Sequence, residues 1–176
     1  VAARVGHPEI RAHSLAAMGA LLEALGDADT AGGRFEEAAV LARGAGLAGL
    51  HGELLVRACA LKLRAGHDVS AAKIADVLVA LGKERRSIPI AQVGLAALAV
   101  VSARTYADHA LLPALERARA ALPAGAVIER VLVEEMRASL LAALDDVEAA
   151  ALARDDAAHL AEQTGWLSAA RLLRSA

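Results

Sequence analysis

Aromatic residues are almost missing from this chain: one Phe, one Tyr and one Trp make up 2% of its 176 residues. Hydrophobic residues are nevertheless 57% of it, so Ala, Leu and Val must supply the core. Strands draw on β-branched and aromatic residues, whereas Ala is the best helix former, and an all-α fold follows. Cysteine is nearly absent as well. Cys59 stands alone, which excludes an intramolecular disulfide and fits a reducing, cytoplasmic setting. An excess of one charge is also lacking. A net charge of -2 and a pI of about 6.3 leave no basic field for nucleic acid and no basic amphipathic helix for a membrane surface. The longest apolar run, 88–103, holds Pro89 and Gln92. It is shorter than the ~20 residues a membrane span needs and is expected to form a fully buried central helix. His7, Pro8 and Glu9 interrupt the start, so no signal-peptide pattern is read. Val at position 1 leads us to expect a fragment of a longer chain.

Catalytic motifs are missing too. There is no Gly-rich loop followed by Lys-Ser/Thr, no Gly-x-Ser-x-Gly and no Cys-x-x-Cys. The nearest approach to a metal pattern is Asp155, Asp156, His159 and Glu162, which share one helix face. Zinc needs three or four converging ligands, so these are read as a solvated face. Glu134, Glu135 and Glu129 are read as a solvated face rather than an acid/base pair, with Glu134 three or four residues from Arg130 and Arg137 and able to pair with either along the surface. Cys59, among Ala58, Ala60 and Leu61, is expected to be a buried small contact rather than a reactive thiol. The chain is therefore expected not to be an enzyme and to carry no cofactor or metal.

What the chain does have is repetition. Residues 21–27 (LLEALGD) return as residues 140–146 (LLAALDD), an offset of 119 from Leu21 to Leu140. Glu36-Glu37-Ala38-Ala39 matches Asp155-Asp156-Ala157-Ala158 in the same register, and Gly46-Leu47 matches Gly165-Trp166. Leu61 and Gly66 echo Leu21 and Gly26 at an offset of 40. About four units of roughly 40 residues fill the chain, over 8–46, 47–86, 87–124 and 125–165, with a final helix at 166–175. Periods of this size mark helical arrays in which no unit buries its apolar face alone. The expected helices cover about 8–25, 29–43, 48–65, 68–82, 88–104, 108–122, 126–144, 147–164 and 166–174. Residues 83–87 read as a charged connector. Asp29 or Thr30 is expected to open the second helix, Asp68 or Ser70 to cap the fourth, and Pro113 to delay or bend the sixth.

The first unit resembles a tetratricopeptide repeat. The residues that carry the resemblance are Leu15, Met18-Gly19, Leu22, Gly26, Ala31, Phe35 and Ala38. The second unit is similar through Cys59, Gly66, Ala71, Ala75 and Leu78. The fourth is similar through Ala138, Leu141, Ala150 and Ala157, with Arg154 in the aromatic slot. The third fits with one residue inserted around Arg104-Thr105-Tyr106. The resemblance implies a right-handed α-solenoid of about four helix hairpins with a C-terminal capping helix, although HEAT-like repeats share the period. It also implies similarity to the repeat regions of large bacterial signalling regulators, such as maltose-activator-type transcription regulators and repeat-bearing serine/threonine kinases. The function then implied is a non-catalytic protein-interaction module. The alternative is a domain that senses a small effector.

On the same resemblance, first helices line a concave face. The groove positions implied are His13 and Glu23 in the first unit, and Glu53, Val56 and Leu63 in the second. Leu98 and Val101 follow in the third, and Glu135 and Ser139 in the fourth. Such a groove is apolar in its middle, with Glu at its ends. Lys, Arg and Asn are missing from these slots, so recognition of a peptide's terminal carboxylate is not expected. A hydrophobic segment of another protein, or of another domain of the same chain, is the expected occupant. Homo-oligomerisation through the apolar face is a further expectation. Trp166 is expected to pack on the preceding hairpin.

Overall fold

The computed structural model describes residues 7–106 and 108–175. Among them are nine α-helices, one 3-10 turn and no strand, as the composition requires. Seven helices run 17 to 19 residues: α1 Pro8–Ala24, α2 Ala28–Gly44, α3 Ala48–Arg64, α4 Asp68–Arg85, α5 Ile88–Tyr106, α7 Val127–Ala143 and α8 Val147–Gln163. Two are shorter: α6 Leu112–Ala120, which follows the 3-10 turn His109–Leu111, and α9 Leu167–Ser175. Each helix packs against the next, so the chain advances in adjacent pairs. The odd-numbered helices also meet one another. α3 touches α5 and α7, α5 touches α7, and α1 touches α9. The side on which they meet is the inner side below.

The helices stop at regular points. Gly26, Gly46, Gly66 and Arg86 all have positive φ, at 86°, 73°, 77° and 53°, one in every 20 residues. Asp145 (61°) and Gly165 (77°) repeat the device later in the chain. In each case the next amide bonds the carbonyl five residues back, as Asp27 N does to Leu22 O at 3.0 Å and Trp166 N to Ala161 O at 2.8 Å. This closure ends a helix by turning one residue left-handed.

Some boundaries differ from the sequence expectation. Residues 83–85 continue α4 rather than forming a connector, because Lys83 and Arg85 suit the negative end of a helix. α2 opens at Ala28, just before the expected start at Asp29 or Thr30, and Asp27 caps it, accepting from Thr30 N at 3.1 Å. Asp146 caps α8 in the same way through Ala149 N. Asp68 and Ser70 cap nothing; both lie inside the first turn of α4 after His67. Pro113 sits in the first turn of α6, and the late start expected there is observed.

Alanine brings the helix axes close. Ala12, Ala31, Ala38, Ala39, Ala42, Ala58, Ala71, Ala75, Ala96 and Ala97 have no measurable exposure. Phe35, fully buried, fills the space beside Gly19, where a Cβ would stand 3.1 Å from its ring. At Gly94 the backbones of α5 and α4 meet so closely that a Cβ would lie 2.7 Å from Ala75 O. α5 is flanked by α3, α4, α6 and α7 but is not fully buried, since Ile88 and Leu95 remain about half exposed. It is long and apolar enough to cross a membrane by length and composition, and 39% of that window is buried in the fold.

Candidate partner-binding cleft on the inner side

Two arginines organise the inner side. Arg57 and Arg64 lie seven residues apart on α3, so they occupy the same helix face two turns apart. Arg57 Nη2 donates to Glu23 Oε2 of α1 at 2.5 Å. Arg64 donates from Nε and Nη2 to the two oxygens of Glu135 on α7, at 2.7 and 2.8 Å. Arg64 Nη1 also lies 3.7 Å from Glu23 Oε1. The four side chains thus tie α1, α3 and α7 together, with Glu23 only 3% exposed. Burial works against the charge on Arg64. The Glu135 and Glu23 carboxylates outweigh it and hold its pKa above the ordinary arginine value. Planar, bidentate pairing of this kind fixes geometry as well as charge.

Arg57 is also held between aromatic rings. Its guanidinium carbon lies 4.4 Å from the Phe35 ring centroid and 5.4 Å from that of Trp166. Both contacts fall within the range of cation–π attraction. Trp166 is aimed inward by the left-handed turn at Gly165 that ends α8. It packs on the main core and on the α7–α8–α9 cluster, not merely on the preceding hairpin. Beside it opens a cleft of about 410 Å³ lined by Ala20, Arg57, Val127, Ile128, Thr164, Gly165 and Trp166. Its walls therefore come from α1, α3, α7 and the α8–α9 turn. The side chains that line it are apolar except for Thr164, Arg57 and the indole N–H of Trp166. Arg57 Nε is buried and has no hydrogen-bond partner.

The nine residues expected to line a groove divide into three groups. Glu23 and Glu135 are drawn together, but by arginines that neutralise them rather than as free acidic ends. Val56 and Leu63 are buried in the core, and Leu98 and Val101 pack against it partly buried. His13 and Glu53 are exposed and Ser139 is half-buried. The arginines expected to be missing stand one residue beyond Val56 and Leu63. α3 has neighbours on nearly every side, so its aliphatic residues turn into the packing. The long Arg side chains reach the surface at its inner edge. The seven-residue spacing of Arg57 and Arg64 on one face of α3 was the available signal for this. Val127 and Ile128 had none beyond their apolar character, whereas Trp166 stands out as the only Trp.

A second ionic group joins α6 to α7. Arg119 pairs with Glu134, and Arg137 Nε donates to Glu116 at 2.6 Å. Glu134 is buried, contrary to the solvated face expected for it, because α6 packs over it. Cys59 is buried with its Sγ 3.6 Å from Ala71 O, and burial pushes its thiol pKa up to about 12. Among the described residues, no three His, Cys, Asp or Glu side chains converge as metal ligands. Glu162 is engaged by Arg174, and His159 meets Gln163. Comparison with protein-family models, curated proteins and solved structures finds no match.

Proposed function

We propose that this chain is a non-catalytic protein-interaction module, and that it grips a partner by inserting the partner's apolar side chains into the inner cleft. The observation that carries the reading is the cleft itself. Trp166, Ile128, Val127 and Ala20 form an apolar mouth, while Arg57, already neutralised by Glu23, forms a rigid polar floor. Buried aromatic and arginine side chains in a preformed pocket are what strong anchoring contacts use. In this reading the helices form a right-handed α-solenoid of about four tetratricopeptide-like hairpins capped by α9. The partner is a hydrophobic segment of another protein or of another domain of the same polypeptide. The module serves a bacterial signalling or transcription regulator, as the repeat resemblance implies, in the reducing cytoplasmic setting that its lone cysteine fits.

A second reading rests on the volume of the cleft. About 410 Å³ lies within the range of small-ligand pockets, so a small apolar effector is the alternative.

Trp166 is the only Trp, so its emission reports on the cleft alone. The test is affinity isolation from source-cell lysate with the native chain and an Ile128→Glu variant, followed by titration of the recovered protein against Trp166 fluorescence. A protein retained by the native chain, lost from the variant and able to shift the emission saturably supports the module. Equal retention by both chains refutes the cleft as its site. An emission shift produced by a small metabolite, with no protein retained, supports the effector reading instead.

A further inference from the structure

α1 is apolar on the side that faces away from the fold. Its buried face carries Ala12, Gly19 and Glu23. The opposite face carries Ile10, Ser14, Ala17, Met18, Leu21 and Leu25, all exposed or partly so. The four large residues among them are 48% to 73% exposed. Ser14 adds no free polar group, since its hydroxyl donates to Ile10 O at 2.8 Å. A helix that is apolar all round is normally covered on both sides.

The same positions elsewhere in the chain are covered. Forty residues on, Leu54, Ala58 and Leu61 of α3 replace Ser14, Met18 and Leu21, and all three are buried. Leu61 lies against Gly32 of α2. These internal joints share a feature that α1 lacks. Each following helix sends a cation back to an acid on the helix before it: Lys62 to Asp29, Arg104 to Asp68, and Arg137 to Glu116. From residue 12 to residue 25, α1 has no Lys or Arg. Its outer face therefore does not match an α2-, α4- or α6-type helix. It matches a surface as apolar as itself.

α1 supplies such a surface. We propose that two copies of this chain associate through α1, packed antiparallel about a two-fold axis between Ala17 and Met18. Inversion about that point sets Ile10 against Leu25, Ser14 against Leu21, and Ala17 against Met18. The last two pairs place a small residue against a large one, so the row is self-complementary in size, as an isologous interface requires. α1 has no basic residue in its last turn, and the antiparallel copy brings the first-turn pair Glu9 and Arg11 to that negative helix end, with Arg11 opposite Ala24 and offsetting Glu9 opposite Gly26. A contact of one helix pair lies at the small end of specific interfaces, so the dimer is weak, with Kd on the order of tens of micromolar.

The test is sedimentation equilibrium of the 176-residue chain from low micromolar to near-millimolar concentration, beside Leu21→Glu, with helicity checked by circular dichroism. The native chain is expected to pass from monomer to dimer, and Leu21→Glu to raise Kd about tenfold or more. Ala17→Cys provides a separate readout, because Cys59 is buried and cannot compete. Mild oxidation should link two Ala17→Cys chains, whereas Val147→Cys on the exposed start of α8 should remain unlinked. If Leu21→Glu misfolds, the Ala17→Cys cross-link still decides. Two results overturn the proposal: a chain that stays monomeric across the range, or a dimer that Leu21→Glu does not weaken and Ala17→Cys does not link. An apolar helix from another protein as the true occupant would give the first of those results.

Discussion

Arg86 and Asp145 occupy left-handed positions that glycine fills at 26, 46, 66 and 165. A side chain in that conformation strains against the following carbonyl, and glycine does not. Arg86→Gly and Asp145→Gly are each expected to stabilise the fold by about 0.5–1 kcal/mol, seen as a higher urea midpoint with an unchanged slope. His51 gives a pH dependence. Its Nδ1 lies 3.0 Å from Ala39 O, and burial lowers its pKa below the ordinary histidine value, with the Ala39 bond acting the other way. Below pH ~6.5 the unfolded chain binds a proton that the fold resists, so stability is full above that pH and is lost as pH falls. The urea midpoint is expected to drop between pH 7.5 and 5.5, and to drop less in His51→Gln.

The elements were legible in the sequence because their signals are local. Gly26, Gly46, Gly66 and Gly165 mark helix ends whatever packs above them, and Pro113 delays α6 by its own geometry. The phase of α3 was not legible. Val56 and Arg57 are adjacent, and which of them faces inward depends on how many neighbours α3 has. The same holds for Glu134, which is buried only because the short α6 lies over it. Close approach is likewise invisible in a list of small residues. Gly94 meets the α4 backbone at Ala75 O, whereas Gly33 and Gly49 meet nothing within 4 Å. Gly94→Ala is therefore expected to cost about 1–3 kcal/mol, while Gly49→Ala should be neutral or slightly stabilising, by thermal melts of both.

At the scale of the molecule, Glu23, Arg57, Arg64 and Glu135 join helices far apart in sequence. Removing one member leaves a largely buried charge without its partner, which costs more than the pair contributes. Arg64→Ala is expected to destabilise by about 1–3 kcal/mol, discounted because Arg64 retains some exposure. Arg64→Ala with Glu135→Ala should lose less than the sum of the singles in a double-mutant cycle. The same bridge shapes the cleft. It fixes Arg57 beside Phe35 and Trp166 and leaves the apolar mouth at Ile128 open. The repeat resemblance read from the sequence put a groove on the first helix of each unit. It did not show that the middle of the inner side is closed by packing, nor that the opening lies between α1, α7 and the α8–α9 turn.

The most direct measurement is site-specific photo-cross-linking in source cells, with benzoylphenylalanine at Ile128 in the cleft and at exposed Val147 as the reference. A protein adduct formed from position 128, absent from position 147 and abolished by Ala20→Glu is the predicted result. Adducts of equal yield from both positions, or none from position 128 while position 147 reacts, would contradict the account.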